Sequence, residues 1–70
     1  MVRENFYTDL RARRIHKGLS IYKLAVLVGV TPESIRNIER CKTLPNVLLA
    51  MRLAEVFEVK VETLFRRQEA

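Results

Sequence analysis

Glu33, Arg36, Asn37 and Arg40 recur at i, i+3, i+4 and i+7, a spacing that puts all of them on one face of an α-helix. Ile35 and Ile38 fall on the opposite face. Asparagine matches the paired acceptor and donor on adenine's major-groove edge, arginine's fork matches guanine, and a carboxylate accepts from the cytosine amino group. Each residue also has a plainer use. Glu33 in a first turn suits the helix dipole whatever the helix does, and Arg36 with Arg40 forms an ordinary solvated pair. It is their joint occurrence on one helix that points to reading base edges.

A second set suits gripping phosphates. Lys23, Arg40 and Lys42 are cationic, and Ser20, Thr31 and Thr43 are small hydroxyl residues beside helix ends. Hydroxyls, cations and helix N-termini hold phosphates and fix register without carrying sequence information.

The charge distribution points the same way. The 70 residues carry 13 Lys and Arg against 8 Asp and Glu, a net +5. Residues 11–42 alone hold eight cations and two acids, whereas residues 43–70 sum to zero and the first ten to −1. One half is thus an electropositive surface suited to a polyanion, nucleic acid before membrane. Basic faces are often merely solvated, so the charge alone decides nothing.

Breakers and caps position these residues. The first helix is expected from about Arg3 to Lys17, stopping at Gly18. Ser20 caps a second helix with Leu24, Ala25 and Val28 inward. Gly29 and Val30 form a connection of about two residues, the first free to take positive φ and the second able to point into the core. Thr31 caps and Pro32 opens a third helix running to about Arg40. Two helices so joined cross steeply in helix-turn-helix geometry, here centred on residues 20–40. Asn46 caps a fourth helix ending near Phe57, its core stripe Val47, Ala50, Leu53, Ala54 and Phe57. A short fifth runs from about Val61 to Arg67. Strands are not expected, although Val56 to Val61 hints at period-two alternation. The fold class is all-α: one domain over residues 1–70, a compact bundle of about five short helices.

Other function classes find little support. One histidine and one cysteine make no zinc set, and no nucleophile–base–orienter spacing is visible. With only two glycines, no phosphate-cradling loop is expected. Neither enzyme activity nor a cofactor is implied. No apolar run approaches the roughly 18 residues of a membrane span. The opening Met1-Val2-Arg3-Glu4-Asn5 does not read as a signal peptide, and Cys41 without a partner fits a reducing cytoplasm.

The run Arg14-Ile-His-Lys-Gly18-Leu19-Ser20, then Leu24-Ala25, Val28-Gly29-Val30-Thr31, Ser34-Ile35, Ile38-Glu39 and Lys42, resembles the phage-repressor-like (Cro-like, XRE) helix-turn-helix family. The similarity continues through Pro45, Leu53-Ala54, Phe57, Val59 and Glu62-Thr63-Leu64-Phe65, about residues 10–65. The resemblance implies a lambda-repressor-like DNA-binding domain, usually dimeric, with its third helix in the major groove of double-stranded DNA. It also implies a largely buried salt bridge between Arg14 and Glu39, which takes Glu39 out of the base-reading set. The base readers are then Pro32, Glu33, Arg36 and Asn37, Pro32 through apolar contact with a thymine methyl. The sequence departs from the family in places. Ile21 stands where relatives often carry a phosphate-binding glutamine, and Cys41 and Glu58 stand where they carry glycine. Lys60 replaces a serine or threonine cap.

The fourth helix is apolar over more than one face. Leu48, Met51, Val56 and Phe65 are surplus to a single core stripe and are expected at a two-fold homodimer interface within residues 46–67, or else lining a thick core. Two functions follow. One is a dimeric transcriptional regulator, a repressor or autoregulator, on a palindromic operator. The other keeps the fold as an antitoxin or adaptor, with Ile21, Tyr22 and Pro32 serving a protein surface.

Overall fold

Gly18 and Gly29 sit at φ +77° and +76°, the left-handed conformation that ends a helix cheaply only without a Cβ. The computed structural model describes residues 5–68. Its elements run in the order β1 (Asn5–Thr8), α1 (Leu10–His16), α2 (Ile21–Val28), α3 (Pro32–Glu39), α4 (Val47–Val56), α5 (Val61–Leu64) and β2 (Phe65–Gln68). Five helices form in the expected order. Ser20, Thr31 and Asn46 each accept a hydrogen bond from a first-turn amide, of Lys23, Ser34 and Leu49 respectively. After α2 the Gly29 and Val30 amides both donate to the Ala25 carbonyl, at 2.8 and 3.0 Å. Val30 then packs against the core.

Both chain ends differ from expectation. The first helix starts at Leu10, not Arg3, and the fifth stops at Leu64, not Arg67 (Arg3 and Glu4 lie outside the described residues). The intervening residues form a two-stranded antiparallel sheet with Asn5 opposite Gln68 and Thr8 opposite Phe65. Phe6, Tyr7, Thr8 and Phe65 are types that suit a pleated surface. The Thr8 hydroxyl closes the junction, donating to the Leu64 carbonyl at 2.7 Å and accepting from the Leu10 amide at 3.2 Å. Phe6 and Phe65 stack obliquely, 6.3 Å between ring centroids. The alternating stretch Val56 to Val61 is not a strand; it holds the end of α4 and the turn into α5.

The core draws on every helix: Leu10, Leu24, Ala25, Val28, Ile35, Ile38, Leu53 and Leu64. On α4 the inward stripe is Leu49, Ala50, Leu53, Ala54 and Phe57, with Val47 out in solvent at 76% exposure. The α4 face is therefore rotated relative to the expected one, Leu49 taking the place assigned to Val47. Val56 and Phe65, counted as surplus apolar surface, pack partly against the core. Among the described residues no helix is long and apolar enough to cross a membrane.

Two helices end on residues that strain the same geometry. Cys41 and Glu58 sit at φ 59° and 55°, and the following amides still complete the cap: Lys42 donates to the Asn37 carbonyl at 2.9 Å, Val59 to Ala54 at 3.0 Å. A side chain costs roughly 1–2 kcal/mol in this conformation. Glycine would remove that strain but adds freedom to the unfolded chain. Cys41→Gly and Glu58→Gly are each expected to raise stability by about 1 kcal/mol, read as a higher urea midpoint at unchanged slope. A lower midpoint would show that neither turn is strained.

Candidate nucleic-acid interface

The geometry of α3 follows from what its other side touches. Ile35 and Ile38 are buried, essentially inaccessible, so the helix cannot roll and its remaining face is held outward. Glu33 is exposed on that face, Pro32, Arg36 and Asn37 are half-buried, and Arg40 follows exposed at the helix end. These residues share one surface, as their spacing requires.

Orientation of α3 against the rest is fixed by the Arg14–Glu39 pair. Arg14 Nε donates to Glu39 Oε2 at 2.7 Å and Nη2 to Oε1 at 3.3 Å. Arg14 Nη1 donates to the Leu19 carbonyl at 2.9 Å, so one guanidinium ties α1, the α1–α2 turn and the end of α3 together. The side chains are 11% and 5% exposed. A paired, bidentate, hydrogen-bonded charge is the form in which burial is tolerated. Glu39 has no outward role.

Two contacts organise the outer face. The Arg36 guanidinium donates to the Tyr22 hydroxyl and to Glu33 Oε1, both at 3.4 Å, and lies 5.8 Å from the centre of the Tyr22 ring. The Tyr22 hydroxyl foremost, then the Glu33 carboxylate, raise the Arg36 guanidinium above its usual range and outweigh its desolvation. Arg36 is a permanent cation resting on an aromatic plate. The second contact is in the backbone. The Asn37 carbonyl accepts from the Lys42 amide at 2.9 Å and the Thr43 amide at 3.4 Å. The turn that carries Lys42 and Thr43 is thereby pinned to the residue whose side chain faces outward beside it.

The hydroxyl residues are already partly used. Ser20 Oγ accepts from the Lys23 amide at 3.0 Å, and Thr31 Oγ1 accepts from the Ser34 amide at 3.1 Å. Ser20 can still donate its proton to a phosphate oxygen, and Thr31, whose Oγ1 also shares a 3.0 Å hydrogen bond with Ser34 Oγ, can do so when Ser34 is the donor in that bond. Lys23, Arg40, Lys42 and Thr43 are all exposed. Arg11, counted in the basic stretch 11–42 but given no site role from sequence, joins Arg36 and Arg40 in lining a groove of about 320 Å³ that the Arg14–Glu39 pair and Ile21 also line. From sequence Tyr22 has a place on a protein surface; packing sets Tyr22 against Arg36 of α3 and Arg11 along the same groove. Among the described residues no group of His, Cys, Asp or Glu is placed to hold a metal ion.

The chain is similar to known helix-turn-helix proteins. The Helix-turn-helix family profile matches residues 10–64. The chain is 36% identical over 66 residues to the uncharacterized HTH-type transcriptional regulator YgzD of Bacillus subtilis, covering 94% of this chain and 96% of the relative. It is 38% identical over 58 residues to an uncharacterized HTH-type transcriptional regulator of Archaeoglobus fulgidus, 83% of each chain. Among solved structures, the restriction-modification controller protein C.AhdI of Aeromonas hydrophila superposes with a TM-score of 0.69 at 28% identity, over 76% of this chain and 80% of that one. The clp gene regulator ClgR of Corynebacterium glutamicum shares the fold at 24% identity, with a TM-score of 0.70 over 77% of this chain and 57% of that one.

Proposed function

The chain belongs to the helix-turn-helix family of DNA-binding transcriptional regulators, and from that premise we propose that it acts as a two-fold dimer whose α3 reads the major groove of a palindromic operator. One observation carries the reading. Buried Ile35 and Ile38 hold Glu33, Arg36 and Asn37 outward, while the Asn37 carbonyl pins Lys42 and Thr43 at the helix end. Base-reading and phosphate-gripping groups thus keep a fixed separation, as register on a duplex requires. Pro32, Glu33, Arg36 and Asn37 contact base edges. Ser20, Lys23, Thr31, Arg40, Lys42 and Thr43 hold phosphates, and Arg11 joins them. The mode of action is repression by occupancy, autoregulation included.

Dimerisation rests on α4. Val47, Leu48 and Met51 fall on one face of α4 and are 76%, 57% and 53% exposed, and Leu44, in the turn before the helix and 62% exposed, lines a surface hollow with Val47. Single exposed apolar residues are ordinary, but a run on one face marks an association surface. A two-fold axis there sets two copies of α3 about 34 Å apart, one turn of DNA. Met51→Asp is expected to sediment as a monomer and to lose affinity for the full palindrome while still unfolding cooperatively, with a melting temperature that no longer depends on protein concentration. A variant that stays dimeric would move the interface elsewhere.

The residues that favoured a protein-binding role have internal duties. Ile21 packs against the core, Tyr22 supports Arg36, and Pro32 opens α3, which supports the DNA reading over an antitoxin or adaptor. Selection of binding sites from random duplexes by the purified protein tests it. Enrichment of an inverted repeat with half-sites one helical turn apart is expected; a pool without any motif would overturn sequence-specific regulation.

A further inference from the structure

We propose that the β1–β2 ribbon supplies an additional contact to the DNA backbone, with Arg66 and Lys42 both lining one phosphate-binding cleft; this rests on the DNA-binding reading above. In sequence Arg66 and Arg67 belong to the half whose charges cancel. Folding relocates them. Strand β2 pairs with β1, Arg66 opposite Tyr7 and Arg67 opposite Phe6, and this ribbon faces the turn that follows α3. Phe6 and Phe65 on the ribbon side and Cys41 and Lys42 on the turn side enclose a cavity of about 540 Å³, which Arg66 and Arg67 also line.

Three features define what this cleft accepts. Three cations line it and, among the described residues, no acid does. Its walls are tied to the body of the domain: the Thr8 hydroxyl joins the ribbon to Leu64 and Leu10, Phe65 packs against the core, and the Asn37 carbonyl holds the turn. Its cations are all exposed, so among the described residues that line it there is no buried charged group of the kind that orients a small ligand in a pocket. Exposed cations on a fixed frame suit a polyanion, whose charges repeat along the strand and meet several of them at once. Lys42 already belongs to the DNA-facing set, and the cleft continues that surface from the end of α3 onto the ribbon. An independent small anion would have to compete with a phosphate for Lys42.

Binding of the full chain to its selected duplex and to a random duplex across a salt series tests the proposal. The wild-type log–log slope counts the phosphate contacts. Arg66→Ala is expected to reduce that slope by about 0.9 on both duplexes, leaving base preference unchanged, and the Lys42→Ala/Arg66→Ala pair by roughly twice that. Arg66→Lys should keep the slope, which separates a phosphate contact from a fold defect, and melting curves of all variants check the fold. An Arg66→Ala slope equal to wild type, beside a reduced slope for Lys42→Ala, would overturn the ribbon contact and leave DNA binding by α3 intact. Stoichiometric binding of the aromatic anion 8-anilinonaphthalene-1-sulfonate that Arg66→Ala abolishes, at an unchanged slope, would likewise overturn it and make the cleft a small-anion site. A wild-type protein without affinity for either duplex would overturn the DNA reading and the ribbon contact together.

Discussion

Glu39→Ala is expected to destabilise the fold by about 3–5 kcal/mol, because it leaves the Arg14 guanidinium buried without its counter-charge. Arg14 would keep only the Leu19 carbonyl as a partner, too little to offset the desolvation of a full charge. Arg14→Ala should cost as much, by stranding the Glu39 carboxylate. Domains of this size have only about 5–15 kcal/mol in hand, so either variant should melt on the order of 20 °C lower. Replacing both residues with apolar ones, as in Arg14→Met/Glu39→Leu, should recover most of the loss, since the pair itself is worth little beyond a well-packed alternative. Thermal melts of the two single variants and the double variant check this. Single variants within 1 kcal/mol of wild type would show that the pair is solvent-relaxed. The consequence reaches function, because this pair sets the angle at which α3 leaves the body of the domain.

Asn37→Ala should cost about 1–3 kcal/mol of binding at one base-pair position and relax preference there, as expected for loss of a bidentate base contact. Lys42→Ala should instead weaken all sequences alike. The contrast is informative because the two residues are joined by a backbone hydrogen bond of 2.9 Å: they stand at the same end of α3 and yet act on different parts of the duplex. Binding-site selection with each variant separates them. Equal and uniform losses would remove Asn37 from the base-reading set. Tyr22→Phe gives a milder version for Arg36. It keeps the ring beneath the guanidinium and removes the hydroxyl it donates to, leaving Arg36 less well oriented before DNA arrives.

The parts of this molecule legible in its sequence are those written in local chemistry. Ser20, Thr31 and Asn46 are hydroxyl or amide residues just before apolar periodicity, and each caps a helix through an amide three residues on. Gly29 takes the left-handed turn that makes α2 and α3 a unit. The Arg14–Glu39 bridge came from family resemblance, since nothing local links residues 25 positions apart. The ribbon escaped because its strands are four residues each and pair across nearly the whole chain. Neither strand carries a period-two pattern long enough to be seen. On α4, apolar residues cover too much of the helix for periodicity to choose between Val47 and Leu49. There the choice is made by packing against the other helices.

The central claim is that α3 meets the bases from the major groove, and methylation interference on the selected duplex tests it most directly. Methyl groups at guanine N7 block the major-groove edge, while those at adenine N3 block the minor groove. The account predicts that N7 methylation abolishes binding at matching positions in both half-sites and that N3 methylation there is tolerated. Interference confined to adenine N3, or none at either position, would contradict it.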